Sequence, residues 1–182
     1  MLNQEVGSDV GKQSGAHRGG GVGVMFLAFF GTWWMLTGLN GILGIKLSLL
    51  LAVVVGASLF AAGWRQSQRE ARQPDARRAK VFRDVNMAQW GGIVGLLVVL
   101  NLVHHVEWIM PGIMAIVGLH FFPLAKLFHN QSHYLTGSAL VLLAATYPLV
   151  AAQGPSSAVG PIVAALILWL SAATSLLQAA KR

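Results

Sequence analysis

VGVMFLAFFGTWWMLTGLNGILGIKLSLLLAVVVGASLFAAGW, residues 22–64, decides how the rest of the chain is read. It is one apolar run, and Lys46 is its only charged residue. A helix crossing a bilayer core of about 30 Å needs about 20 mainly apolar residues. The run is about twice that length, so it is too long for one crossing. Gly38, Asn40, Gly41 and Gly44 gather at its middle, where a chain reversing direction needs turn chemistry. The segment GLNGILG therefore predicts two spans, over residues 22–39 and 47–64.

The same reading extends along the chain. Further apolar runs cover residues 87–106, 109–128, 134–152 and 159–178, interrupted by MPG at 110–112 and QGPSS at 153–157. Composition agrees: 55% of the 182 residues are hydrophobic and 10% are charged, against about 25% charged in soluble domains. Mean hydropathy is +0.62. The expected fold is all-α, a polytopic bundle of six transmembrane helices in three hairpins. It occupies residues 22–180, with a basic loop at 65–86. Residues 1–21 are polar and Gly-rich, and read as a disordered cytoplasmic tail rather than a cleavable signal.

Orientation follows from the basic residues. With both termini inside, every Lys and Arg falls in an inside segment except Lys46. The expected location is a bacterial inner membrane, with both termini cytoplasmic. The net charge of +7 is thus distributed by topology and is no nucleic-acid signature. Arg65, Arg69, Arg72, Arg77, Arg78, Lys80 and Arg83 crowd the inside loop, where they would meet anionic phospholipid headgroups. Asp75, after Pro74, is placed to cap the helix leading into the third span.

Lipid tails are as apolar as leucine, so helices in a bilayer associate through close packing of small residues. Two i, i+4 pairs fit that role: Gly91 with Gly95 in the third span, and Ala52 with Gly56 in the second. Three hairpins raise the question of a triplicated unit, but the spans share no spacing beyond small residues near their ends.

The polar residues that matter are few. Asn101, His104, His105 and Glu107 lie at the end of the third span, and His120 lies within the fourth. Ionisable groups in hydrocarbon are expensive and are candidates for function. If the third and fourth spans meet at a tight turn near Trp108–Pro111, Asn101 and His120 fall at similar depth and share a polar site. His104, His105 and Glu107 then form a shallower cluster.

Catalytic chemistry is poorly supplied. There is no cysteine, which excludes disulfides, thiolate nucleophiles and iron–sulfur ligation. No Ser/His/Asp grouping, paired carboxylates or phosphate loop is present. The adjacent His104 and His105 diverge by about 100° on a helix, which suits chelation poorly. His129 and His133 have i, i+4 spacing in a short connector. The residues imply no cofactor and no bound metal.

The runs FFGTWWMLTGL, residues 29–39, and GLHFFPLAKLF, residues 118–128, resemble small multi-pass bacterial inner-membrane proteins of unknown function. That resemblance implies a compact helical bundle and brings no activity or site residue with it. The functional expectation is an accessory, structural or small transport-type membrane protein. Its partners would be the lipid bilayer and a second copy or another membrane protein. The alternative is a membrane-embedded redox, metal or haem protein using His104, His105 and His120.

Overall fold

A computed structural model describes residues 20–69, 76–128 and 130–181. The tail through residue 19, Arg72, Asp75 and His129, and the side chain of Arg78, lie outside the described residues. The described chain is helical, with α1 Gly20–Arg69, α2 Ala76–Leu102, α3 Ile109–Phe128, α4 Gln131–Val150 and α5 Val159–Ala180. Two single-turn 3₁₀ segments, Val106–Trp108 and Gly154–Ser156, sit in the connectors, and no strand occurs among the described residues. All five helices are long and apolar enough to cross a membrane.

The 50 residues of α1 would reach about 75 Å if straight. They do not run straight. Gly44, at φ 73 and ψ 164, is the one residue inside α1 with non-helical dihedrals. That region of backbone space is open essentially to glycine alone. Beyond it the helix folds back on itself. A Cβ added to Gly21 would collide with the backbone of Ser67, one on Gly63 would lie 2.8 Å from Val24, and one on Gly56 would collide with Thr32. The two arms, 20–43 and 45–69, are therefore antiparallel. The broad turn expected over residues 38–46 is narrower than its composition suggests, because one glycine absorbs the reversal and both flanks stay helical.

The remaining helices pack in series: α1 on α5, α5 on α4, α4 on α3, and α3 on α2. Each pair is antiparallel, as the contacts show. Gly31 lies under the Trp169 ring, and Gly38 lies against Ile162 and the Ala158 carbonyl. Thr136 in α4 donates to Ser171 in α5 at 2.8 Å, a buried bond between helices. A close backbone crossing also joins α3 to α4. A Cβ on Gly118 would stand 3.0 Å from the Gly137 carbonyl oxygen, and one on Gly137 2.7 Å from the Gly118 oxygen.

The core is built by the first arm of α1 with α3, α4 and α5. Val24, Trp34, Met114, Val117, Leu140, Tyr147, Ala165 and Leu168 form its buried cluster. From the second arm of α1 only Ala52 joins that cluster, and α2 adds nothing to it. Those two rods flank the bundle and present valines, leucines and tryptophans outward. In water such a surface would be untenable, and in lipid it is the expected solvent contact.

Small-residue packing departs from the sequence reading in one place. Among the described residues nothing lies within 4 Å of a Cβ added at Gly91 or at Gly95, so that pair does not face a neighbouring described helix. The contact with α3 is made one residue on, at Gly92 beside Ile116, and at Leu96, which packs on Gly112. A shift of one residue turns the face by about 100°.

Candidate functional site

The connectors at Gly44, 103–108 and 151–158 lie at one end of the bundle. The opposite end carries exposed Arg65, Arg69, Arg77, Lys80 and Arg83. Every polar residue singled out at the end of the third span belongs to the connector end.

α2 stops at Leu102, four residues before the expected end of the span. The stop is a backbone motif. His105 N–H donates to the Leu100 carbonyl at 2.9 Å, and His104 N–H donates to the Asn101 carbonyl at 3.3 Å. His104 sits between them at φ 59, in the left-handed region. This is the Schellman arrangement, normally completed by glycine. Histidine is among the residues that tolerate the left-handed region better than most. His104 is thus a helix terminator with an exposed side chain. His105 Nδ1 meets Glu107 Oε1 at 2.9 Å, forming a local pair on the 3₁₀ turn.

Asn101 and His120 are not brought together. Residues 103–108 are spent on the connector, so α3 begins only at Ile109. Asn101 is in the last turn of α2, and His120 is eleven residues into α3, about 17 Å deeper at 1.5 Å per residue. The pairs Leu96–Gly112 and Gly92–Ile116 fix the same register. Asn101 instead donates its side-chain N–H to the Leu97 carbonyl of its own helix at 2.8 Å. The His120 ring lies against the backbone of Val85 in α2, and its Nδ1 is buried without a hydrogen-bond partner. Phe121 separates His120 from His133, with ring centroids 6.3 Å and 5.7 Å away respectively. His104, His105 and His120 therefore do not converge on a common point.

What the connectors do enclose is a cavity of about 420 Å³. Thr37 and Gly41 of α1 form one wall, Glu107 and Met110 a second, and Gln153 to Pro161 the third. Its third wall is held from below. Tyr147 donates its hydroxyl to the Pro155 carbonyl at 3.1 Å. Gly160 leaves room for that ring, since a Cβ there would lie 2.5 Å from it. The Thr37 hydroxyl donates to the Trp33 carbonyl at 2.9 Å, which leaves its oxygen as an acceptor. Ser157 Oγ accepts from the Val159 N–H at 3.3 Å.

Of this cavity the sequence reading held Glu107 alone. Gln153, Ser156 and Ser157 were legible only as turn residues, and Thr37 only as part of a span. QGPSS did carry a signal, a polar loop facing another polar loop across a short hairpin, but nothing in the residues says that the three connectors meet. Comparison with family models, with curated proteins and with solved structures finds no match to this chain.

Proposed function

We propose that this chain is a multi-pass protein of a bacterial inner membrane that crosses the bilayer six times. In this reading the two arms of α1 count as separate spans, and both termini are cytoplasmic. It acts by binding, as an accessory component of a membrane assembly, rather than by covalent chemistry or by forming a pore.

The observation that carries this reading is the contrast between the middle of the bundle and its ends. Met114, Leu140 and Leu168 are completely buried within α3, α4 and α5. A hydrophilic route across would need polar, water-accessible groups at those depths. The polar groups with access to water gather instead at the two ends, Glu107 and the QGPSS loop at one and the exposed arginines at the other. Exposed Arg65, Arg69, Arg77, Lys80 and Arg83 all lie at the opposite end, which supports the orientation. The redox alternative loses its geometric support, since its three histidines are a helix cap, a hydrogen-bond partner of Glu107 and a ring against the α2 backbone.

Reporter fusions test the orientation. Activity is expected from a cytoplasmic reporter after Arg182 and from a periplasmic reporter inserted beside Lys46. A periplasm-active fusion after Arg182 defeats the six-span reading. Gentle solubilisation of native membranes tests the accessory role. A companion membrane protein, or a second copy of this chain, should copurify in fixed stoichiometry. A monodisperse single chain would overturn the assignment.

A further inference from the structure

The cavity at the connector end has a definite chemical character. Its lining includes one carboxylate, Glu107, and no Lys, Arg or His side chain. Lys46, the one basic residue predicted on that side, is not among the lining residues. His105 Nδ1 meets Oε1 of Glu107 at 2.9 Å, and this contact engages only one of the two carboxylate oxygens. A carboxylate offers two oxygens and about four acceptor positions, so one contact leaves most of its capacity free. The Glu107 side chain is 37% exposed, open enough for a ligand to approach. The Thr37 hydroxyl points its hydrogen at the Trp33 carbonyl, so its oxygen is a second acceptor in the wall. Met110, Pro155 and Pro161 supply apolar surface around these groups.

We propose that this cavity binds a primary ammonium group, with the Glu107 carboxylate as its counter-ion and the Thr37 oxygen among its further acceptors. An ammonium presents three N–H donors and a compact charge, which an acceptor-lined wall with a single negative charge complements. Two sources carry that chemistry to the membrane surface: an ethanolamine lipid headgroup and a free small amine. The inference adds a ligand class to the accessory reading. It rests on that reading only for the compartment that supplies the amine.

The test uses the full chain in uncharged maltoside micelles, where sidedness plays no part, so a wrong topology does not affect the result. Free ethanolamine is titrated calorimetrically, with ethylene glycol as the uncharged comparison. Ethanolamine should bind at one site and ethylene glycol should not. Glu107→Gln keeps the side-chain shape and removes the charge. It should weaken binding on the order of tenfold or more, the loss expected for a hydrogen bond to a charged group. Gly41→Leu is the second variant. Among the described residues nothing lies within 4 Å of a Cβ there, so a larger side chain can be placed at this lining position without a backbone clash. It should abolish binding while the helical circular dichroism is unchanged.

Native mass spectrometry from micelles doped with phosphatidylethanolamine or phosphatidylglycerol separates the sources. Retention of phosphatidylethanolamine by the unaltered chain, lost in Glu107→Gln, identifies the headgroup. Binding of free ethanolamine without lipid retention identifies a soluble amine. Equal binding by the unaltered chain and Glu107→Gln overturns the proposal. So does the absence of both ethanolamine binding and lipid retention in the unaltered chain.

Discussion

Gly118 and Gly137 on one side of the molecule, and Gly91 and Gly95 on another, look alike in sequence but meet different surroundings. All four are small residues inside apolar runs. At the first pair the backbones of α3 and α4 come so close that neither position has room for a methyl group. At the second pair the space is open. The spacing GxxxG, which describes the second pair, concerns residues on one helix. A close crossing needs a smooth patch on each of two helices at the same height. Gly118 and Gly137 supply one glycine each, and no local pattern records that they face one another. Tight packing in lipid is a property of two surfaces, so a one-helix motif is a weak sign of it.

The largest effect is expected where the obstruction is backbone. Gly137→Leu places its Cβ 2.7 Å from the Gly118 oxygen and 3.0 Å from the Phe121 Cβ, and neither can move without moving α3. Destabilisation at the upper end of the roughly 1–3 kcal/mol typical of overpacking is expected, or loss of the folded bundle. Thermal unfolding in detergent reads it directly, and a variant as stable as the parent would break the comparison at its stronger limb.

Next comes a glycine retained for its dihedrals rather than for space. Nothing lies within 4 Å of a Cβ at Gly44, yet φ is 73. Gly44→Ala should therefore cost about 1–3 kcal/mol through backbone strain alone. Denaturant unfolding of this variant beside Gly41→Ala, which has equal space and no positive φ, isolates the effect. Equal stability of the two would show that the reversal in α1 does not depend on that conformation.

A smaller change of opposite sign is expected at His104. It occupies a left-handed position without being glycine, at φ 59. His104→Gly should raise stability by about 1 kcal/mol, the penalty a Cβ incurs there. A loss of stability would mean that the imidazole contributes more than the terminator it completes, and would reopen a role for it at the connector end.

The smallest effect sharpens the comparison from its other limb. Gly95→Leu should leave the unfolding free energy of the isolated chain within about 0.5 kcal/mol of the parent, as for surface substitutions elsewhere. Marked destabilisation would show that another helix of the same chain packs on that face of α2 and would break the contrast with Gly137.

Much of the architecture follows from local properties of the residues. The apolar run at 109–128 coincides with α3, and the run beginning at residue 159 coincides with the start of α5. Hydropathy and length act on each segment separately, so a reader of the sequence can apply them without knowing any neighbour. The doubling of residues 22–64 was legible for the same reason, since a run of that length cannot be one crossing. Where α2 ends was not legible. Residues 103–108 contain no glycine or proline to announce a stop, and the terminator that ends the helix is a histidine in a conformation usually given to glycine. That displacement carries Asn101 away from His120. Tertiary structure alone decided three further things: which glycines touch, that Thr136 reaches Ser171, and that Thr37, Glu107 and Gln153 line one cavity. Each depends on the rotation of one helix relative to another. One residue of register turns a helical face by about 100°, and no single segment carries the information that sets its rotation.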